Sequence, residues 1–408
     1  MPPKAFPLKI LFGLYFFAFI LFALFSYSLV HPSLVLVGWK FYWQYQTWIW
    51  KNLFNNHQLL AEVYTCLIIL LFAIYFFILA KLRRMKTKPF QAKMFIPYLF
   101  LLLPLFVSYN ALSYDVFNYI FNAKMVVVYH ANPHLVAAMH YEFDPWTRFM
   151  SNTYGLAPYG YGWTTISLLP YILGFNKFLP TWLLFRAFSI LGIFLLYLSL
   201  QNLAKKIYKR GLTIQEFGLV FLNPLFLIEM VSSAHNDLWM MWPAVLAFSF
   251  ILGPKIRFKH VALSFVFLLF SLAVKLSTMI LLPLWALVLW KNVDFGESKS
   301  KLAKLTENYW PTIASFLMFL PLLTFRARQF YPWYLVWVFV WLPFIKFKPW
   351  KFAVVILSVT AMLRYIPWLY TNSFTDAVEL QQKLFIWVPF VAIMVLAGFV
   401  VAAKKKLR

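Results

Sequence analysis

Apolar runs of membrane-crossing length recur from one end of this chain to the other, beginning with Leu11–Val30. A helix needs about 20 such residues to cross the hydrocarbon core. Inside lipid, only helices and closed barrels satisfy their own backbone. Composition agrees: 63% of the 408 residues are hydrophobic, 12% are charged and only 12 are acidic. Mean hydropathy is +0.74, whereas a soluble domain would be about 25% charged. The expected fold is all-α, a polytopic transmembrane helical protein. The first apolar run lacks a small-residue cleavage site, so it reads as a span and not a removable leader. Cys66 is the single cysteine and lies in an apolar run, which excludes an internal disulfide and a cysteine-based metal site.

A net charge of +25 could suggest nucleic acid, but its distribution excludes that partner. Basic residues cluster between apolar runs: Lys81, Arg83, Arg84, Lys86 and Lys88; Lys205, Lys206, Lys209 and Arg210; Lys255, Arg257 and Lys259; Lys346, Lys348 and Lys351; and Lys404–Lys406 with Arg408. This is the asymmetry that orients a chain in the lipid bilayer. With each cluster cytoplasmic, about 12 spans run at 9–30, 60–80, 93–109, 179–201, 214–231, 236–252, 259–274, 276–290, 309–325, 330–345, 350–367 and 382–403. Both termini then lie on the cytoplasmic side of a cell membrane.

Tyr161–Phe175 is apolar but too short to span, and counting it would put Lys205–Arg210 outside. It reads as an interfacial or re-entrant helix within one large external loop, 110–178. The expected organisation is a hairpin at 1–92, a module at 93–252 and further helices at 253–408. With 12 glycines and no visible internal repeat, broken-helix transporter architecture finds little support.

This topology places Asp115, Glu142, Asp144, Glu229, Asp237, Asp376 and Glu379 at or beyond the outer ends of spans. An ionisable residue there is a functional hypothesis by default. Asp115 reads either as a charge at a helix N-terminus, with Ser113 as cap, or as a reactive carboxylate. The stretch "NPLFLIEMVSSAHNDLWMMW" carries Glu229 outward and turns through His235, Asn236 and Asp237. Asp237 reads equally as an N-cap. Glu229 needs a partner in its apolar helix, and a structural ion pair with Arg186 is the expected one. Arg326 and Arg328, in "FRARQFYPWY", break the positive-inside pattern, and their planar forks suit phosphate. The alternative is snorkelling to headgroups. Lys275 is a weaker candidate of the same kind. His130, His134 and His140 share a loop with Glu142 and Asp144, but Asn132-Pro133 disfavours the helix that would align them. A divalent metal is therefore not supported, no other cofactor is expected, and no motif for phosphate loops, zinc proteases or serine hydrolases occurs.

Together these pieces resemble a family. "SYDVFNYIFNAKMVVVYHANPH" at Ser113–His134 is similar to the first external loop of GT-C glycosyltransferases, specifically polyprenol-phosphate-mannose-dependent alpha-1,6-mannosyltransferases. "APYGYGW", "NPLFLIEMVSSAHND", "VKLSTMILLP" and "YPWYLVW" follow in the expected order, over about residues 95–345. The sequence departs from the pattern at Tyr161, where proline is usual, and at His134, where an aromatic residue is common. The resemblance implies a loop with helices lying along the membrane and Asp115 as general base. It implies transfer of a hexose, mannose above others, from a polyprenyl-phosphate-sugar donor to a glycan or glycolipid acceptor, with inversion, on the outer face. A lipid phosphate leaves as a stable anion, so one carboxylate suffices where glycosidases use two. Arg326, Arg328 and Lys275 would hold that phosphate. Tyr119, Asn132, His134, Tyr159, His235, Asn236, Asp237, Tyr331 and Trp333 would contact sugar or acceptor. The competing readings are a transporter or flippase of lipid-linked sugars, and an inactive scaffold for envelope assembly.

Overall fold

Helices are the only regular elements among the described residues of this computed structural model, which are 7–31, 34, 36–85, 88–253, 255–292, 301–324 and 329–406. The first six are α1 (Leu8–Ser26), α2 (Lys40–Ile49), α3 (His57–Arg83), α4 (Phe95–Val107), α5 (Asp115–Val127) and α6 (Tyr161–Leu173). Then come α7 (Phe178–Tyr208), α8 (Ile214–Phe221), α9 (Pro224–Leu227), α10 (Asp237–Phe250), α11 (Phe258–Val274), α12 (Leu282–Asn292) and α13 (Lys301–Phe319). The last four are α14 (Val336–Phe339), α15 (Lys348–Met362), α16 (Tyr365–Thr371) and α17 (Asp376–Lys406).

Five helical stretches among the described residues are long and apolar enough to cross a membrane: Leu8–Leu29, His57–Arg83, Phe178–Tyr208, Lys348–Thr371 and Asp376–Lys404. The pair Ile214–Phe221 and Pro224–Ser232 would add a sixth, bent by 59°. Only these, of the 12 expected spans, stand on length and composition. The bend departs from the single straight crossing expected at 214–231. It needs no glycine: Asn223 Oδ1 accepts from the Leu225 N–H at 2.9 Å, and Pro224 opens the next turn.

Residues 330–345, expected as one span, are instead short turns at Pro332–Leu335, Val336–Phe339 and Leu342–Phe344. Pro332 and Pro343 each withhold a backbone donor from a continuous helix. The run is almost wholly buried, packed against α10 and α13. It is apolar because it is core, not because lipid touches it. One apolar cluster joins helices from Leu11 to Ile386. By contrast, the Asp376–Lys404 stretch is mostly exposed, with Val378, Gln382 and Ile386 buried, and it contacts the rest mainly through α15 and α16. Helix α6 has 13 residues and lies against α5, α7 and α11.

Arg186 on α7 organises the region around the site. Its buried guanidinium donates to the carbonyls of Phe106 and Ser232 at 2.9 Å, to Ser108 O, and to Asn110 Oδ1 at 2.7 Å. It also stacks on Trp182, at 3.9 Å. One side chain thus ties the end of α4 to the turn that follows Glu229.

Candidate functional site

Asp115 opens α5, where the helix dipole favours a carboxylate. Ser113 Oγ accepts from the Asp115 N–H at 3.3 Å, but Tyr114 and not the expected Ser113 stands at the N-cap, with no side-chain cap bond. Asp115 Oδ2 accepts from Tyr159 Oη at 2.7 Å and from Tyr119 Oη at 3.4 Å. Burial, then the adjacent Asp115 charge, holds both phenols far above their ordinary range, so they remain donors. The carboxylate keeps 20% of its surface, enough to meet a substrate hydroxyl.

His235 stands behind it. Ala234 takes a left-handed φ of 55°, which turns the chain out of its last helical turn. His235 Nδ1 then lies 3.6 Å from Asp115 Oδ2, and Nε2 lies 3.4 Å from Glu229 Oε2. Trp333 stacks on the imidazole at 3.9 Å, and Tyr331 stacks on Trp333 at 4.4 Å. Glu229 is fully buried and its Oε1 accepts from Tyr365 Oη at 2.7 Å. The expected Glu229–Arg186 pair does not form. Arg186 spends its donors on carbonyls and Asn110, while Glu229 faces a tyrosine and a histidine.

Asp237 is not an N-cap acceptor for α10. Its Oδ1 pairs with Lys275 Nζ at 2.8 Å and accepts from Trp337 Nε1. Lys275 also approaches Asn236 Oδ1 at 3.5 Å and lies 5.1 Å from the Tyr159 ring. Two glycines allow this meeting. A Cβ at Gly160 would lie 2.0 Å from the Ala273 carbonyl oxygen, and one at Gly162 would lie 2.7 Å from its carbon. The Gly160 N–H donates to Val274 O at 3.0 Å, seating the Tyr159 loop on the end of α11.

A cavity of about 410 Å³ opens beside Asp115, lined also by Tyr159, Gln329, Tyr331, Trp333, Tyr334, Arg364, Glu379 and Gln382. Sequence reasoning missed Arg364. Its guanidinium lies 4.6 Å from the Tyr331 ring and donates to the Gln329 backbone and side chain. The signal was present: "VTAMLRYIPW" sets one arginine in an apolar run, the same criterion that singled out Glu229. Arg326 and Arg328 lie outside the described residues. Asn132 and His134 do not line the cavity. Asn132 Nδ2 donates to Tyr161 Oη at 3.2 Å, and His134 Nε2 lies 2.9 Å from Thr164 Oγ1.

Of the two other carboxylates in this loop, Glu142 and Asp144, the second is structural. Asp144 pairs with Lys124 at 2.5 Å and accepts from Tyr129 Oη at 2.8 Å and the Trp146 N–H at 2.9 Å. Burial alone would raise its carboxyl, but these partners hold it below the usual range. Among the described residues, no group of three or more His, Cys, Asp or Glu side chains could hold a metal ion. The site thus holds the oriented Asp115 carboxylate at the cavity edge, backed by a buried histidine, with Arg364 and the Lys383-paired Glu379 also on the cavity wall. It can take a proton from a substrate and hold an anion.

Comparison with known proteins adds one finding. A family model described as the MptA_B family, Alpha-(1->6)-mannopyranosyltransferase, N-terminal domain, matches residues 17–291, more than half of the chain. No curated protein and no solved structure matches.

Proposed function

The chain belongs to this alpha-(1->6)-mannopyranosyltransferase family, and from that premise we propose that it transfers mannose from a polyprenyl-phosphate-mannose donor to a glycan or glycolipid acceptor. Asp115 is the general base. It takes the proton of an acceptor hydroxyl as that oxygen attacks the anomeric carbon. The bond from that carbon to the phosphate oxygen breaks, and polyprenyl phosphate departs with the electron pair. Attack opposite the leaving group inverts the anomeric centre. The leaving group needs positive charge and no acid, a role suited to Arg364 on the cavity wall, with Lys275 nearby. The stacked Trp333 and Tyr331 offer flat apolar faces to a sugar ring, and Gln329 and Gln382 offer polar contacts. Charge asymmetry along the sequence supports a site on the outer face of the membrane.

The observation that carries this reading is the partly exposed carboxylate of Asp115, bonded to Tyr159 at 2.7 Å on the rim of a cavity that also contains an arginine, while the other carboxylate lining it, Glu379, is paired with Lys383 at 2.7 Å. The test presents purified protein in lipid with a panel of labelled polyprenyl-phosphate sugars and a membrane glycolipid mixture. Transfer from the mannosyl donor, giving a product of the opposite anomeric configuration, is expected. A product that retains the donor's configuration would refute the single-carboxylate mechanism.

A further inference from the structure

Asp115 is the first of three titratable groups in a row, and the transfer reaction explains only the first. Asp115 Oδ2, His235 Nδ1, His235 Nε2 and Glu229 Oε2 follow one another across gaps of 3.6 and 3.4 Å. The side chains of His235 and Glu229 have 0% exposure, so bulk solvent does not complete them. Neither ring nitrogen and no other donor serves Glu229 Oε2 by a short hydrogen bond, so the contacts within the row are what these atoms have.

Carboxylate oxygens only accept, and a neutral imidazole has one donor and one acceptor nitrogen. A neutral ring here would turn a lone pair toward one of the two carboxylates. A ring protonated on both nitrogens faces both favourably. Three neighbours agree with that charge. Trp333 offers its indole face at 3.9 Å. Tyr365 holds Glu229 Oε1 at 2.7 Å, leaving Oε2 for the histidine, while Tyr159 fixes Asp115 through Oδ2, the same oxygen that faces the ring. The other charged groups around the ring are engaged elsewhere. Lys275 is paired with Asp237 at 2.8 Å, and Arg364 lies against Tyr331, with Trp333 between that ring and His235.

We infer that Glu229 holds His235 as an imidazolium, and that this buried cation keeps Asp115 ionised and aimed into the cavity. His235 and Glu229 are positioning residues; neither touches substrate. The inference rests on Asp115 being the base. The acceptor's proton ends on Asp115 and leaves through its exposed edge, while the imidazolium gives up none of its own.

The test is the ring ¹⁵N spectrum of histidine-labelled protein in lipid nanodiscs at neutral pH. The chain has 7 histidines, and the His235 signals are assigned by their loss in His235→Gln. Two protonated nitrogens are expected in the wild type and a single neutral tautomer in Glu229→Gln. The same variant should lower kcat by roughly 10–100-fold with donor KM unchanged, a scale taken from the loss of the outer partner of a metal-bound histidine. A neutral ring in the wild type would overturn the inference, even if Glu229→Gln fails to fold. An imidazolium persisting in folded Glu229→Gln would overturn the role given to Glu229. The spectrum needs no substrate, so it decides the charge separately from the transfer reading, which full activity in Asp115→Asn would remove.

Discussion

Gly160→Ala tests whether the approach of the Tyr159 loop to α11 sets the reactive geometry. The new methyl would sit 2.0 Å from the Ala273 carbonyl oxygen and 2.9 Å from its carbon. Ordinary contact begins at 3.4 Å, so the two backbones must separate by about 1.4 Å. Neither can yield as a flexible side chain would. The separation breaks the 3.0 Å bond from the Gly160 N–H to Val274 O, costing about 1 kcal/mol. Overpacking adds about 1–3 kcal/mol, for a loss of about 2–4 kcal/mol in all. Tyr159 is the preceding residue, so its bond to Asp115 shifts with the loop, and a displacement of about 1 Å in a reactive arrangement costs on the order of 10²-fold in rate. The assay pairs denaturant unfolding in nanodiscs with mannosyl transfer, using Gly398→Ala as control because nothing lies within 4 Å of its added methyl. Wild-type stability and transfer in Gly160→Ala would refute the reasoning.

Arg186→Met should destabilise by more than about 3 kcal/mol, because the carbonyls of Phe106, Ser108 and Ser232 each lose a buried donor; denaturant midpoints check this. Arg364→Gln should raise donor KM by about 10–150-fold, the worth of a charge-assisted hydrogen bond to phosphate of about 1.5–3 kcal/mol; unchanged donor KM would remove Arg364 from the phosphate site. Asp144 is held low in the folded loop, so its contribution to stability is present above the ordinary carboxylate value and lost as pH falls through the lower folded value. The protection of the Trp146 and Thr147 amides, taken relative to their intrinsic exchange rates, should therefore fall in acid, and Asp144→Asn should abolish that dependence.

Much of this was legible in the sequence because helices in apolar surroundings announce themselves by composition. Asp115 and His235 stood out as polar residues where polar residues are costly, and they do meet, as do Tyr119 and Tyr159 with Asp115. Residues 330–345 misled because a lipid-facing helix and a buried run of turns are equally apolar. Arg186 and Glu229 misled for a different reason: complementary charges on adjacent helices suggest a pair, yet free carbonyls at the end of α4 are stronger claimants for a guanidinium and leave no mark in side-chain chemistry. Arg364 reaches the cavity through α15 and α16, far along the chain from Asp115, and only the folded arrangement brings its arginine beside the loop motif.

The central claim is that one carboxylate performs the proton transfer. The most direct measurement is the single-turnover rate of labelled mannose transfer by Asp115→Asn beside the wild type, each shown to be folded by its unfolding midpoint. The account predicts a fall of roughly 10²–10⁴-fold, the contribution of a general base, with donor binding retained. Transfer at the wild-type rate by folded Asp115→Asn would contradict it.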